Sequence, residues 1–476
     1  HYTQFMVYDF DGDGRAELIC KTAPGSKGSD GQYVSAAADD TSISSTDNSK
    51  DYRNSNGYVL SGPEYLTVFN GLTGKAIHTV YYNPNRNFGV GGSANYSSSW
   101  GDSYGNRGDR FLAAVAYLDG ADKRPSAVMC RGYYPRAYLW AVGFDGSRLS
   151  TKWLHASTSK TAYSVTDAGG STTSYTAKSC TSGSYGVQSY TMYSNGNHNL
   201  SVGDVDGDGC DEIIWGSAAL DNDGRLLYSV GHGHGDAIHL GDLDPDRPGL
   251  ELFDIHEEKK TYSWDLHDAA TGEILFQGGN SGVDNGRGLA ADIDADNRGY
   301  EFWSSDERNE RSAQTGEVVG TSSVSVNFRV YWDGDLQDEL LDGTKLDKWN
   351  GNGSSRLMTF YNYGSSSSCN STKQTPNLQA DILGDWREEV ILWDASNRAT
   401  LNIFTTNIPS DYRVTTLMHD HIYRLGVAWQ QTAYNQPPHL GYYLPALFEE
   451  KPSSMKFSIA EGSALQQDAT FTRPIA

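Results

Sequence analysis

Asp204-Val205-Asp206-Gly207-Asp208-Gly209-Cys210-Asp211-Glu212, running straight into Ile213-Ile214-Trp215, is the stretch that decides the fold. Alternate carboxylates on a glycine-rich turn are hard oxygen ligands spaced for Ca²⁺. The spacing imitates the opening of an EF-hand loop, but an EF-hand needs an acidic ligand at its twelfth position and helices on both sides. Here the closing Glu212 comes early, and the residues after it are strand-like. The segment is therefore a calcium turn feeding a β-strand.

The chain spells this unit seven times, fully or in decayed form. A second clean copy is Asp9, Asp11, Asp13 and Glu17, leading into Leu18-Ile19-Cys20. Asp242, Asp244 and Asp246 run on to Glu251, and Asp292, Asp294 and Asp296 run on to Glu301, each with one residue extra. Asp333, Asp335 and Glu339 lack the first carboxylate, where Tyr331 stands; Asp381, Asp385 and Glu389 lack the second. A copy around Asp119-Gly120 has lost most ligands. An acidic turn without metal is the rival for any one copy, but clustered carboxylates repel unless a cation is present, and recurrence weakens that rival.

Between these turns lie alternating apolar segments broken by glycine, as in Tyr65–Ile77, Leu139–Gly146 and Leu401–Phe404, which predict strands in hairpins. The later units start at 204, 242, 292, about 331 and 381. A repeat of roughly 40–50 residues with several strands per unit is the spacing of a propeller. No segment shows a long helical apolar stripe. The expected fold is an all-β propeller with a calcium turn on the rim of each blade. Residues 26–57 and 156–195, rich in Ser, Thr, Gly and Tyr, are expected to be long loops inserted into blades.

The net charge of −23 excludes nucleic acid as a partner. It says little about the sign of a substrate, because several bound Ca²⁺ ions would cancel much of it. Thirty tyrosines and eleven tryptophans suit strands and a sugar-facing surface. Five cysteines (Cys20, Cys130, Cys180, Cys210 and Cys369) leave at least one unpaired, and no zinc or CxxC spacing exists. No signal peptide or membrane span is evident, and His1-Tyr2-Thr3 entering a strand directly suggests a processed or truncated start. Dependence on calcium points to an extracellular or cell-envelope setting, and a monomer is expected.

Polar residues that the repeat does not explain are the better site candidates. His198 precedes a calcium turn, His232, His234 and Asp236 follow a hairpin, and His256 and Glu257 follow another strand. These positions fall at corresponding ends of neighbouring blades, which converge at one mouth of the channel, where two imidazoles and two carboxylates can hold a further metal. Cationic residues in glycine-rich turns form a second set: Arg287, Lys373 beside Asn370 and Thr372, Arg107, and Lys21. Arginine binds carboxylates through two bonds, and a lysine near other cations can titrate low enough to act as a base.

Asp51–Asn54, Leu60–Phe69, Trp100–Arg107, Gly196–Leu200, Gly235–Ala237, Leu383–Glu389 and Ala433–His439, taken in order, resemble the rhamnogalacturonan lyases of polysaccharide lyase family 11. The resemblance runs from residue 1 to about 445, so residues 1–445 are expected to be the catalytic propeller and 446–476 a tail of unknown role. It implies an eight-bladed propeller with several structural Ca²⁺ ions and a deep cleft. It also implies β-elimination at the rhamnosyl-(1→4)-galacturonate bond of rhamnogalacturonan I in pectin. Family members usually begin further upstream. Seven repeats therefore stand where eight blades are implied, the eighth expected either from 412–445 or from a separate upstream piece. By the same resemblance His198, His234, Asp236 and Glu257 match the cation site, and Arg287 and Lys373 line the cleft. Lys21, Arg107, Asn370, Thr372 and Asn435 are further candidates for sugar contacts.

Galacturonate C5–H is weakly acidic, so elimination needs a cation on the carboxylate and a base at C5. Lys373 is the expected base, with Arg287 able to exchange roles with it. The stretch after His256 is short, with no insertion to close the cleft, which favours endo action. The rival class is a non-catalytic calcium propeller for adhesion or carbohydrate binding, which has no need of the histidine and basic residues.

Overall fold

The computed structural model describes residues 4–84, 86, 100, 102–134, 136–157, 162–166, 172–176, 192–257, 262–280, 282–432 and 434–449. Within them the chain folds into seven antiparallel sheets taken in sequence order, the third and fourth joined into one larger sheet. The first holds Phe5–Tyr8, Glu17–Thr22, Tyr65–Asn70 and Ala76–Tyr81; the second holds Phe111–Ala116, Ser126–Arg131, Tyr138–Phe144 and Leu149–Ala156. The third begins at Gly196–Gly203 and Glu212–Gly216, the fourth at Gly235–Gly241 and Glu251–His256, the fifth at Gly288–Ala291 and Glu301–Ser304. The sixth begins at Phe328–Val330 and Glu339–Asp342, and the seventh is built around Leu378–Ala380, Glu389–Asp394 and Leu401–Phe404. The all-β class and its repeating unit are as expected. The eight-bladed ring is not: the described residues hold seven such units, and no closed ring of eight is seen.

Each acidic turn joins the first strand of a sheet to its second, and the closing glutamate opens that second strand. Its carboxylate turns back to accept main-chain N–H groups of its own turn. Glu17 takes Phe10, Glu212 takes Val205, Glu251 takes Leu243 and Asp244, Glu301 takes Ile293 and Asp294, Glu339 takes Trp332 and Asp333, and Glu389 takes Ile382 and Leu383. The glutamate thus shapes the turn whether or not a metal is present. It satisfies amides that the reversal of the chain would leave unpaired.

Alternation along the strands packs each sheet against two neighbours. In the fifth sheet Ala290 and Phe302 face Phe253 and Leu266 of the fourth, while Leu289 and Trp303 face Leu340 and Trp349 of the sixth. Full burial of each large apolar side chain contributes about 1.5–3 kcal/mol. A second set of carboxylates, one residue before the closing glutamate, clasps successive sheets together. Asp211 accepts Tyr117 N–H at 2.6 Å, Asp338 accepts Asp292 N–H at 3.0 Å and Glu388 accepts Tyr331 N–H at 2.9 Å. Each returns its own N–H to the carbonyl of the same residue.

Residues 412–445 do not complete a blade. They carry a short 3-10 turn, Leu417–His419, and a helix, His421–Trp429, with no strand among their described residues. Asp420 caps the helix by accepting Tyr423 N–H at 2.8 Å. The helix lies against the first strands of the first, second, third and seventh sheets. Its Tyr423 hydroxyl donates to Glu388 at 2.6 Å, and His421 meets Asp211 at 2.7 Å, so it locks onto the inter-sheet clasps. Of the long loops, 26–57 holds only short helical turns, with Val34 and Ile43 packed on Tyr65 and Phe69. The stretch 156–195 contains a hairpin, Ala162–Thr166 with Thr172–Thr176, and otherwise lies largely outside the described residues. Cys20, Cys130, Cys210 and Cys369 are free, and Cys180 lies outside the described residues, as does the tail from 450 onward. Among the described residues no helix is long and apolar enough to cross a membrane.

Arg329 is fully buried between Asp338 and Glu388, at 3.4 and 3.3 Å, with its guanidinium 4.6 Å from the Tyr331 ring. Burial pushes the Asp338 carboxyl up to about 7 even with this partner. Replacing Arg329 with Met is expected to destabilise the fold by about 3–5 kcal/mol in denaturant unfolding, because two buried carboxylates lose their cation. Unchanged stability would contradict this assignment.

Candidate metal centre and basic cleft

The ends of the sheets opposite the acidic turns gather the other polar residues. The first strands of the third and fourth sheets pair in parallel at Asn197 and Gly235, which sets His198 beside His234 and Asp236. Gly235 in turn pairs with His256, and Glu257 donates its N–H to His234 C=O at 2.8 Å. One ligand atom from each of His198, His234, Asp236 and Glu257 lies within 4.8 Å of the others. The juxtaposition expected from sequence is therefore present.

The protonation pattern in this cluster suits a cation. His234 Nδ1 lies 2.5 Å from Gly196 C=O, an acceptor only, so Nδ1 carries the proton and Nε2 presents a lone pair. Nε2 has no hydrogen-bond partner and sits 3.5 Å from Glu257. Asp236 Oδ1 is likewise buried without a hydrogen-bond partner, 3.3 Å from His198 Nε2. Burial pushes His234 down to about 4 and His198 well below its ordinary value, so both rings are neutral ligands at ordinary pH. Burial, aided by the negative charge of Asp236, lifts Glu257 to about 8. Four donors with two potential negative charges fit a divalent cation, and a positive ion would relieve the strain on Glu257.

Aromatic rings wall this cluster. Tyr434 stacks on His198 with centroids 4.0 Å apart, Tyr134 tilts over His234 at 4.5 Å, and the Tyr134 hydroxyl lies 3.3 Å from His198 Nε2. Sequence reasoning missed Tyr133, Tyr134 and Tyr434; the paired tyrosines before a strand and the one beside Asn435 were the available signal.

Lys373 enters from the seventh sheet. Its 3-10 turn, Ser371–Lys373, is bounded by left-handed Asn370 and Gln374, and Asn370 adopts φ 62°. That geometry throws the side chain inward, where Nζ donates to Asp236 Oδ2 and to Gly286 C=O, both at 2.5 Å, above the Tyr434 ring. Burial lowers the Lys373 ammonium from its ordinary value, against the pull of Asp236. Arg287, from the start of the fifth sheet, is anchored by Nε and Nη2 on Asn327, leaving buried Nη1 without a hydrogen-bond partner. Burial brings Arg287 down to about 10.

The candidate sugar contacts divide. Arg107 lies over the Tyr134 ring at 4.8 Å, next to the centre. Asn435, in left-handed conformation, has a buried Oδ1 without a hydrogen-bond partner, as has the Asn370 amide nitrogen. Thr372 is exposed on the Lys373 turn. Lys21 pairs with buried Glu64 at 3.0 Å, in a cluster with Arg86 and Arg131.

The acidic turns also divide. Asp9, Asp11 and Asp13, and likewise Asp204, Asp206 and Asp208, gather their oxygens in one place. Buried Glu212 Oε1 and Glu301 Oε1 have no hydrogen-bond partner, which leaves room for a cation at those turns. In the turn of Asp333, Asp335 and Glu339 a cation is already supplied: Lys348 Nζ lies 2.9, 2.7 and 2.7 Å from the three carboxylates. These three carboxylates also gather their oxygens in one place, so Lys348 and a Ca²⁺ ion would compete for the same turn. In the turns of Asp242, Asp292 and Asp381 the oxygens are not gathered in threes among the described residues. Arg298 holds Asp246, Arg247 holds Glu251, and Asp381 accepts the N–H groups of Gly384, Asp385 and Leu417.

Seven repeated sheets carry acidic turns at one end and a histidine–carboxylate centre beside a buried lysine and arginine at the other. The profile of the rhamnogalacturonan lyase family 11 C-terminal domain matches residues 1–178 and 175–454, and the chain belongs to that family. It is 48% identical over 454 residues to rhamnogalacturonan endolyase YesW of Bacillus subtilis, covering 95% of this chain and 64% of that protein. It is 45% identical over 468 residues to rhamnogalacturonan exolyase YesX of the same organism, covering 95% of this chain and 68% of YesX. The chain thus spans about two thirds of the length of these relatives. The crystal structure of YesW superposes with a TM-score of 0.77 at 47% identity, covering 93% of this chain and 67% of that one. Exotype YesX gives 0.79 at 43%, covering 94% and 69%.

The clean turns predict how stability answers to calcium and pH. Burial, with the neighbouring aspartates, raises the Glu212 carboxyl to about 8. In metal-free protein its contribution is therefore fully present below the ordinary carboxylate range and is lost as pH rises through about 8. Calcium must displace that proton, so its effect grows over the same window. EDTA-treated protein should melt lower at pH 8 than at pH 5, and added calcium should raise the melting temperature more at pH 8. Equal calcium effects at the two pH values would contradict this.

Proposed function

We propose that this chain is a calcium-dependent rhamnogalacturonan lyase, cleaving the rhamnosyl-(1→4)-galacturonate bond of rhamnogalacturonan I by β-elimination within the polymer. The observation that carries this is the 2.5 Å contact between Lys373 Nζ and Asp236 Oδ2, which couples a buried amine to the ligands of a cation centre. The endolyase and exolyase relatives support the substrate class, and the short connection from His256 to Trp264 favours endo action. The seven sheets are taken as blades of a propeller. Use of several calcium ions and a polymeric pectic substrate favours an extracellular or cell-envelope setting.

His198, His234, Asp236 and Glu257 would hold the cation. When bound, it supplies positive charge to the galacturonate carboxylate and so acidifies C5–H. Arg287 offers its unpaired Nη1 to the same carboxylate and stabilises the charge that develops on it. Lys373 takes the C5 proton. It must be neutral to do so, and burial and the Arg287 charge both favour the neutral amine. Asp236 opposes this until its charge is committed to a cation, so loading the centre would free the base. Arg287 stays protonated at neutral pH and fits the electrostatic role better than the role of base. The C4–O bond then breaks with its electron pair passing to the rhamnosyl oxygen, which leaves and takes up a proton, while the C5 electrons form the C4–C5 double bond of a 4,5-unsaturated uronate. The Tyr434 ring lies 4.6 Å from the Lys373 nitrogen and shields one side of it.

Lys373→Ala should lower kcat by on the order of 10²–10⁴ with the fold intact, followed by ultraviolet absorbance of the conjugated uronate in calcium. Near-full activity would remove Lys373 as base. Sugar binding without any absorbance from the unsubstituted chain would favour a non-catalytic carbohydrate-binding propeller.

A further inference from the structure

A second cluster lies just behind the candidate centre and is not part of the proposed reaction. His232, from the turn entering the fourth sheet, places Nδ1 2.7 Å from Asp265 Oδ2. His256, the last residue of the neighbouring strand, places Nε2 2.7 Å from the same oxygen. One ligand atom of each of the three lies within 4.8 Å of the others. His256 and Asp265 are wholly buried, and His232 is 5% exposed.

The groups around these three are placed as supports. Asp265 Oδ1 meets His267 Nδ1 at 2.6 Å, and His267 Nε2 meets the Tyr228 hydroxyl at 3.2 Å, which fixes the plane of the carboxylate. His256 Nδ1 faces Asp254 Oδ2 at 3.7 Å and has no hydrogen-bond partner. If neutral His256 donates through Nε2 to Asp265, its bare Nδ1 confronts a buried carboxylate, lone pair against lone pair. If a metal takes Nε2, the proton moves to Nδ1 and points at Asp254, the carboxylate–histidine–metal arrangement that orients ligating imidazoles.

We propose that His232, His256 and Asp265 form a second, structural metal site for a borderline divalent ion such as Zn²⁺. Two imidazoles and one carboxylate are a softer donor set than the all-carboxylate turns and favour zinc over calcium. Tetrahedral binding sets ligand atoms about 3.3 Å apart, so each imidazole nitrogen, now 2.7 Å from the Asp265 oxygen, would draw back by about 0.6 Å. The ion would bolt His232 to His256, and so fix His234 and Glu257, which lie two residues and one residue further along the chain.

The test uses the full chain in excess calcium, dialysed against ZnCl₂. To silence the neighbouring centre, the background carries His198→Gln and His234→Gln. The expected result is one tightly held zinc per chain in that background, lost when His232→Asn is added. Asparagine keeps a donor toward Asp265 but offers no nitrogen ligand, and circular dichroism checks that the fold is retained. Should His232→Asn not fold, Co²⁺ added to the background chain gives an independent reading. Intense visible absorption of a low-coordinate imidazole site supports the proposal, and only the weak spectrum of hydrated cobalt overturns it. No zinc in the background chain, or zinc unchanged by His232→Asn in a folded protein, also overturns the site and leaves a buried proton-linked network.

Discussion

A carboxylate taken out of water must be answered by hydrogen bonds or positive charge, and this chain buries one at the head of the second strand in six of its sheets. Everything about the repeat follows from how each is answered. One oxygen of the glutamate collects main-chain N–H groups, which closes the turn. Burial, with the charge of the aspartates ahead of them, raises the carboxyls of Glu17 and Glu212. In the turn that lacks its first aspartate, the Lys348 ammonium pairs with the closing Glu339. The clasps by Asp211, Asp338 and Glu388 extend the same device between sheets, and Arg329 and Tyr423 answer two of them.

The ends opposite the acidic turns differ from sheet to sheet. The third and fourth sheets contribute the four donors, the fifth an arginine fork and the seventh a lysine on a left-handed turn. The same electrostatic rule is applied there with incomplete answers: Asp236 Oδ1, His234 Nε2 and Arg287 Nη1 are buried without hydrogen-bond partners. Buried groups left open in this way are where a cation and a uronate carboxylate gain most from binding.

How much was legible in the sequence follows from locality. The turns were plain because calcium chemistry needs its ligands within nine or ten consecutive residues, and the copy number matches the seven sheets. His198, His234, Asp236 and Glu257 were legible because they recur at equivalent places in neighbouring repeats. The occupant of the Asp333 turn was hidden, since Lys348 comes from a later strand. The ion pair of Lys21 was hidden too, because nothing local announces Glu64, more than forty residues on. The helix at His421–Trp429 spans nine residues, too short to leave an apolar stripe, although Asp420 was a legible cap. Tyr134 and Tyr434 were lost among thirty tyrosines, most of which suit strands equally well.

The central claim is that a buried amine and a cation centre sharing Asp236 carry out elimination without water. It is tested most directly by the mass and ultraviolet spectrum of the products formed from rhamnogalacturonan I by the calcium-loaded chain. The account predicts fragments lighter by one water than hydrolysis would give, ending in a conjugated 4,5-unsaturated uronate. Saturated fragments carrying the elements of water at the cleaved bond would contradict it.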